Sequence, residues 1–160
     1  MIALATDITW KYVDRREAAI KAMRDYSTIE TILNNTENDL NRIAEDAPVP
    51  AQPRLDGVPA AGLNPHASEE RIVAHLERID NRQRRYLQAR EYMNWFVPAW
   101  RALTDDERWI LETCFLTNDS EASSGSPIQR VCEHFLVERS SAYRRRSAAL
   151  EHLATLLYGK

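Results

Sequence analysis

The stretch that decides the fold runs from Ser126 to Lys160, SPIQRVCEHFLVERSSAYRRRSAALEHLATLLYGK. Ser126 followed by Pro127 reads as a helix start. A serine hydroxyl can accept a backbone N–H, and proline at the first helical position gives up only a donor that would be idle there. Ile128, Val131, Cys132 and Phe135 then fall at i, i+3, i+4 and i+7, the apolar face of a short helix ending near Leu136. After a tight turn a longer helix is predicted from Arg139 to Tyr158, with Gly159 past its end. A short helix, a tight turn and a longer basic helix form a helix-turn-helix. In such a pair the first helix braces against phosphates and the second offers its solvent face to the major groove.

The arginine triplet inside this stretch is divided by helical geometry. At about 100° per residue, Ala142, Ala149, Leu150, Leu153, Leu156 and Leu157 share one arc, the face expected to be buried. Ser140, Arg144, Ser147 and Glu151 lie opposite, with Tyr143 beside them. Arg144 therefore points outward, whereas Arg145 and Arg146 sit at the edges of the buried arc. Both are placed to contact flanking phosphates or to pair with nearby acids. Arg146 suits a structural ion pair with Glu107 or Glu112. Tyr143 serves equally to hold a phosphate or to cover the core. The plainer alternative for the whole triplet is a solvated, salt-bridged helix face.

Working outward, Thr104 with Glu107 three residues on is a capping box, opening a helix that carries Trp109, Ile110, Cys114 and Phe115. The polar run LTNDSEASSGS separates it from Pro127. Glu91–Trp100, EYMNWFVPAW, is dense in aromatics without basic interleaving, so it reads as core. Pro98 is expected to kink or end the helix there. Five of the seven prolines fall in residues 47–67, which reads as a linker. Before it, Tyr26, Ile29, Leu33, Thr36, Leu40 and Ile43 follow a 3-4-3-4-3 spacing, predicting a helix over 7–46 with a break near Tyr26–Thr28 where the stripe changes phase. After it, Ser68 caps a helix whose seam is Ile72, Leu76, Ile79, Gln83, Tyr86 and Met93. The expected fold class is all-α: a long antiparallel, coiled-coil-like helical pair followed by a helix-turn-helix bundle. Its regions are 1–46 (first long helix), 47–67 (linker), 68–100 (second long helix and joint) and 101–160 (helix-turn-helix).

Composition narrows the function classes. Hydrophobic residues make up 44% and charged residues 28% of the chain, enough for a real core. The net charge of −3 means that any anion-binding surface must come from local clustering. Two cysteines, Cys114 and Cys132, give neither a disulfide framework nor a four-cysteine zinc site. Cys132 and His134 point about 200° apart on a helix, so one metal does not readily take both. His66 and His75 are expected to be exposed. No Gly-rich phosphate loop or nucleophile elbow occurs, so no catalytic activity and no cofactor are expected. No apolar run reaches the roughly 18 residues of a membrane span, and acid and base come too early for a signal peptide. A soluble cytoplasmic protein is the expectation.

VCEHFLVERSSAYRRRSAALEHLATLL resembles the helix-turn-helix of sigma factor region four, and DDERWILETCFL resembles the helix preceding it in that family. The ending Tyr143–Gly159 is similar to that of phage-encoded sigma-like regulators of the RinA/ArpU type, which control late genes. The likeness covers about residues 104–160. It implies that Gln129 and Arg130 lie near phosphates on the bracing helix. It places Arg139, Ser140, Ser141, Tyr143 and Arg144 at the DNA end of the recognition helix, with Ser147 further along the same face and Arg145 as a flank contact. Two positions depart from the pattern: Leu136 stands where a glycine is usual, and Glu138 where a small cap is usual. A leucine in the left-handed conformation costs on the order of 1 kcal/mol, which leads us to expect a different turn. The resemblance implies a DNA-binding transcriptional regulator with double-stranded DNA as partner; the long helices are expected to serve dimerisation or contact with host RNA polymerase. Two rivals are a small-terminase-like packaging protein and a helical interaction module that never meets DNA.

Overall fold

The computed structural model describes residues 14–48, 66–117 and 125–159. Among them the chain is all helical. In chain order the elements are α1 (Arg15–Glu45), α2 (Ala67–Ala102), α3 (Asp105–Leu111), a π-helical turn (Glu112–Leu116), α4 (Pro127–Phe135) and α5 (Arg139–Tyr158). The all-α expectation therefore holds. Most of the 47–67 linker, and the first residues of the helix expected over 7–46, lie outside the described residues.

Asp14 explains where α1 starts: its carboxylate accepts from the backbone N–H groups of Arg16 (3.0 Å) and Glu17 (3.3 Å), satisfying donors that have no partner inside the helix. Neither expected interruption ends its helix. Helix α1 runs unbroken through Tyr26–Thr28, because a change of stripe phase alters which face is buried without breaking any backbone hydrogen bond. Helix α2 continues through Pro98 to Ala102. The lost backbone bond and ring clash cost about 3 kcal/mol in a helix interior. Burial of Phe96, Ala99 and Leu103 around the proline offsets that cost.

The chain divides into two compact units. One comprises Met1–Thr28 with Tyr92–Lys160, the other Ile29–Glu91. The first holds the hydrophobic core: Ala19, Ala22 and Met23 from α1, Phe96, Ala99 and Leu103, Ile110 and Leu111 from α3, Ile128 and Val131 from α4, and the buried face of α5. That face is Ala142, Ala149, Leu150, Leu153, Ala154 and Leu157. It matches the sequence arc except at Leu156, which is 39% exposed, and at Ala154, which joins it. Of the EYMNWFVPAW aromatics, Phe96 lies in the core with Tyr92 and Trp100 packed against it, as expected, whereas Trp95 is 40% exposed. Phe96 stacks on Tyr92 (5.4 Å) and Trp100 (5.8 Å) and meets Tyr26. The Tyr92 hydroxyl donates to the carbonyl of Ala22, and the Trp95 indole N–H to that of Leu157 (3.2 Å). Burial first, then the charge of Asp25, pushes the Tyr92 hydroxyl well above its ordinary pKa.

The second unit is thin. Thr36 and Ala89 are its buried residues among those described. Ile29, Ile32, Leu33, Leu40 and Ile43 of α1 and Ile79 and Tyr86 of α2 are half-buried. Arg82 pairs with Asp39 at 3.3 Å. The α2 seam differs from the sequence expectation, because Ile72 and Leu76 remain 38% and 54% exposed. His75 is half-buried rather than exposed, while His66 is exposed beside Glu69 at 3.2 Å.

Candidate nucleic-acid interface

Helix α3 is built as its sequence requires. The Thr104 side chain accepts from the Glu107 N–H (3.2 Å), and the Glu107 carboxylate accepts from the Thr104 N–H (2.9 Å). Glu107 also meets His152 of α5 at 2.9 Å. Partial burial works against its charged form. The Thr104 backbone hydrogen bond and the His152 contact outweigh that, so the carboxyl stays below its ordinary pKa. Glu107 thus pairs with His152, not with Arg146. The π-helical turn that follows was not anticipated from the sequence.

Helix α4 opens with Ser126 as N-cap, its hydroxyl accepting from the Gln129 N–H at 3.3 Å, and Pro127 inside the first turn. It ends at Leu136, which takes φ 53° and ψ 47°, the left-handed conformation. The turn therefore keeps the geometry usual for a glycine, contrary to the expectation that leucine would change it. Hydrogen bonds from the Leu136 and Val137 N–H groups to the Cys132 carbonyl hold it there. The Leu136 side chain is 91% exposed and gains nothing from packing in return. Glu138 is the N-cap of α5 and makes no side-chain capping bond. The first-turn N–H groups of α5 are thus left without a side-chain acceptor, at the positive end of a twenty-residue helix.

The candidate residues divide into three groups by environment. Arg139, Ser140, Arg144 and Ser147 are exposed on α5, Tyr143 is 44% exposed beside them, and Ser141 is half-buried. A second group is held by its own protein. The Arg145 guanidinium lies over the Phe135 ring and that of Arg146 over Phe115, each 4.8 Å from the centroid. Arg146 is therefore anchored by a cation–π contact where an ion pair was expected; Phe115, left by the π-helical turn on that side of α5, supplies the ring. The third group faces inward. Arg130, expected near phosphates, is half-buried, and its Nε is buried without a hydrogen-bond partner. Its charge and that of Arg146 reach the Cys114 thiol, whose pKa burial nonetheless raises.

Gln129 and Arg139 come together: with Ser126, Ile128 and Cys132 they line a recess of about 170 Å³ between the starts of α4 and α5. The Gln129 amide also donates to Glu133 at 3.1 Å. Cys132 is half-buried and packs against the core. His134, which the sequence left without a role, stacks on Trp109 with centroids 4.0 Å apart and planes 17° apart. Only the tertiary path of α3 brings that pair together. Among the described residues no three His, Cys, Asp or Glu side chains gather as a metal site. No described helix is long and apolar enough to cross a membrane. No protein-family model, curated protein or solved structure matches this chain.

Proposed function

We propose that this chain is a DNA-binding transcriptional regulator of phage or prophage type, sigma-like in its helix-turn-helix, which reads the major groove with the start of α5. The observation that carries the reading is the layout of α5. Its inner face is locked into the core from Ala142 to Leu157, while Arg139, Ser140, Arg144 and Ser147 stand together in solvent. Such a helix can enter a groove without rearranging. Arg144 is the base-edge reader in this reading, because a guanidinium can grip guanine with two hydrogen bonds. Arg139 and the uncapped N–H groups of α5 bind a phosphate across the recess they share with Gln129. Arg145, braced on Phe135, meets a flanking phosphate. Arg130 is half-buried with its Nε inside, so in this reading it can meet a phosphate only through its terminal guanidinium nitrogens.

The chain's net charge of −3 fits a protein whose DNA affinity is shared with a second copy or with RNA polymerase, and that sharing belongs to the proposal. The test is a gel shift on mixed-sequence duplex DNA across a salt series. Binding should weaken steeply from low to moderate salt, and Arg144→Ala should reduce it. Absence of binding at every salt concentration by a fully helical protein would overturn the reading. The exposed apolar residues of α2 favour one further feature, self-association through the long helices.

A further inference from the structure

The outer face of α2 carries a row that its own chain leaves uncovered. Val73 is 53% exposed, Leu76 54% and Leu87 57%, with Ile72 beside them at 38%. Single exposed apolar residues are ordinary; a periodic row of them is not. Glu69, Val73, Leu76, Asp80, Gln83, Leu87 and Arg90 follow a strict 4-3-4-3-4-3 spacing, and every one is exposed. The spacing is that of a two-stranded coiled-coil seam, with Val73, Leu76 and Leu87 as its apolar members and a polar centre at Asp80 and Gln83. This row differs from the half-buried face formed by His75, Ile79, Arg82 and Tyr86.

We infer that this row is a self-association surface on which α2 of a second copy of this chain lies antiparallel. The charges choose both occupant and direction. Placing Leu76 opposite Leu87 of the second copy sets Asp80 opposite Gln83, a pair able to hydrogen bond. It also sets Val73 against the aliphatic stem of Arg90. Along the exposed flank, Glu77 then meets Arg84. Two-fold symmetry makes each of these contacts twice. A parallel arrangement would instead put Asp80 against Asp80 and leave Glu77 and Arg84 without opposite charges. The row from Glu69 to Arg90 is long enough for three heptads. This inference deepens the self-association part of the proposed function and does not depend on DNA binding.

The test uses the full chain carrying Leu76→Cys or Leu87→Cys, with wild type as the control for Cys114 and Cys132. Antiparallel pairing predicts a native mass of twice 18.5 kDa. It predicts an oxidative cross-link when the two variants are mixed, and none when either is alone. Glu77→Arg should weaken the dimer about tenfold, and adding Arg84→Glu should restore it. Wild-type protein that stays at 18.5 kDa across its concentration range would overturn the inference, even if it binds DNA. So would a cross-link of Leu76→Cys to itself, which requires the parallel arrangement. Loss of DNA binding by a protein that still dimerises would leave this inference standing and remove the other.

Discussion

The two units of the chain differ in what their side chains accomplish. In the unit of Met1–Thr28 with Tyr92–Lys160, residues from five helices close a core in which Met23, Leu111, Val131 and Leu153 are essentially inaccessible. In Ile29–Glu91, longer stretches of helix bury Thr36 and Ala89 among the described residues and leave a row of large apolar residues in solvent. The first unit builds its core within one chain, although Trp95, Leu116, Leu136, Tyr143 and Leu156 remain exposed. The second has apolar surface to spare, which is the property of a segment completed by a partner.

This contrast can be broken by mutation. The largest effect should come from Leu153→Ala, which removes a fully buried side chain and should cost about 2–5 kcal/mol in chemical denaturation. Leu76→Ala, at an exposed position of α2, should change the stability of the isolated chain by less than about 0.5 kcal/mol. Comparable losses at both sites would erase the distinction between the units. A smaller gain should follow Leu136→Gly, which relieves a left-handed leucine whose side chain is solvent-exposed. Stability should rise by up to about 1 kcal/mol, read as a shift in denaturation midpoint without a change in slope.

The smallest effect concerns pH. Glu107 has a folded pKa below its ordinary 4.5, so its ionised form favours the folded state. Its contribution is complete above that ordinary value and is lost as pH falls through the lowered one. Wild type should therefore lose its stability advantage over Glu107→Gln as the pH is lowered through the carboxylate range. Denaturation midpoints at several acidic pH values would show it. A constant difference between the two proteins would contradict the stabilising role assigned to the Thr104 and His152 contacts of Glu107.

Much of this architecture was legible in the chain because its signals are local. Ser126-Pro127, the Thr104–Glu107 capping box and Gly159 mark helix ends through neighbouring backbone groups. The α5 stripe marks its buried face through period alone. What escaped reading depends on distant partners. The ring under Arg146 is Phe115, brought there by a π-helical turn with no sequence signature. Glu107 meets His152 across forty-five positions of chain. The resemblance put Arg130 near phosphates, but packing turns its Nε inward. In α2 the sequence reading draws one seam through Ile72, Leu76, Ile79, Gln83, Tyr86 and Met93, yet the chain half-buries Ile79 and Tyr86 while Ile72, Leu76, Val73 and Leu87 stay exposed. Periodicity could not say which of them its own chain would cover.

The most direct test of the central claim is the salt dependence of duplex DNA binding by wild type and by Arg144→Ala, with helicity and stability of both proteins verified. Arg144 is exposed and lies outside the core, so the variant should fold as wild type does. The account predicts that wild-type affinity falls steeply with salt. It also predicts that Arg144→Ala binds more weakly and discriminates less between sequences, by about 1–3 kcal/mol. Equal binding by the two proteins, or no binding by either at low salt, would contradict it.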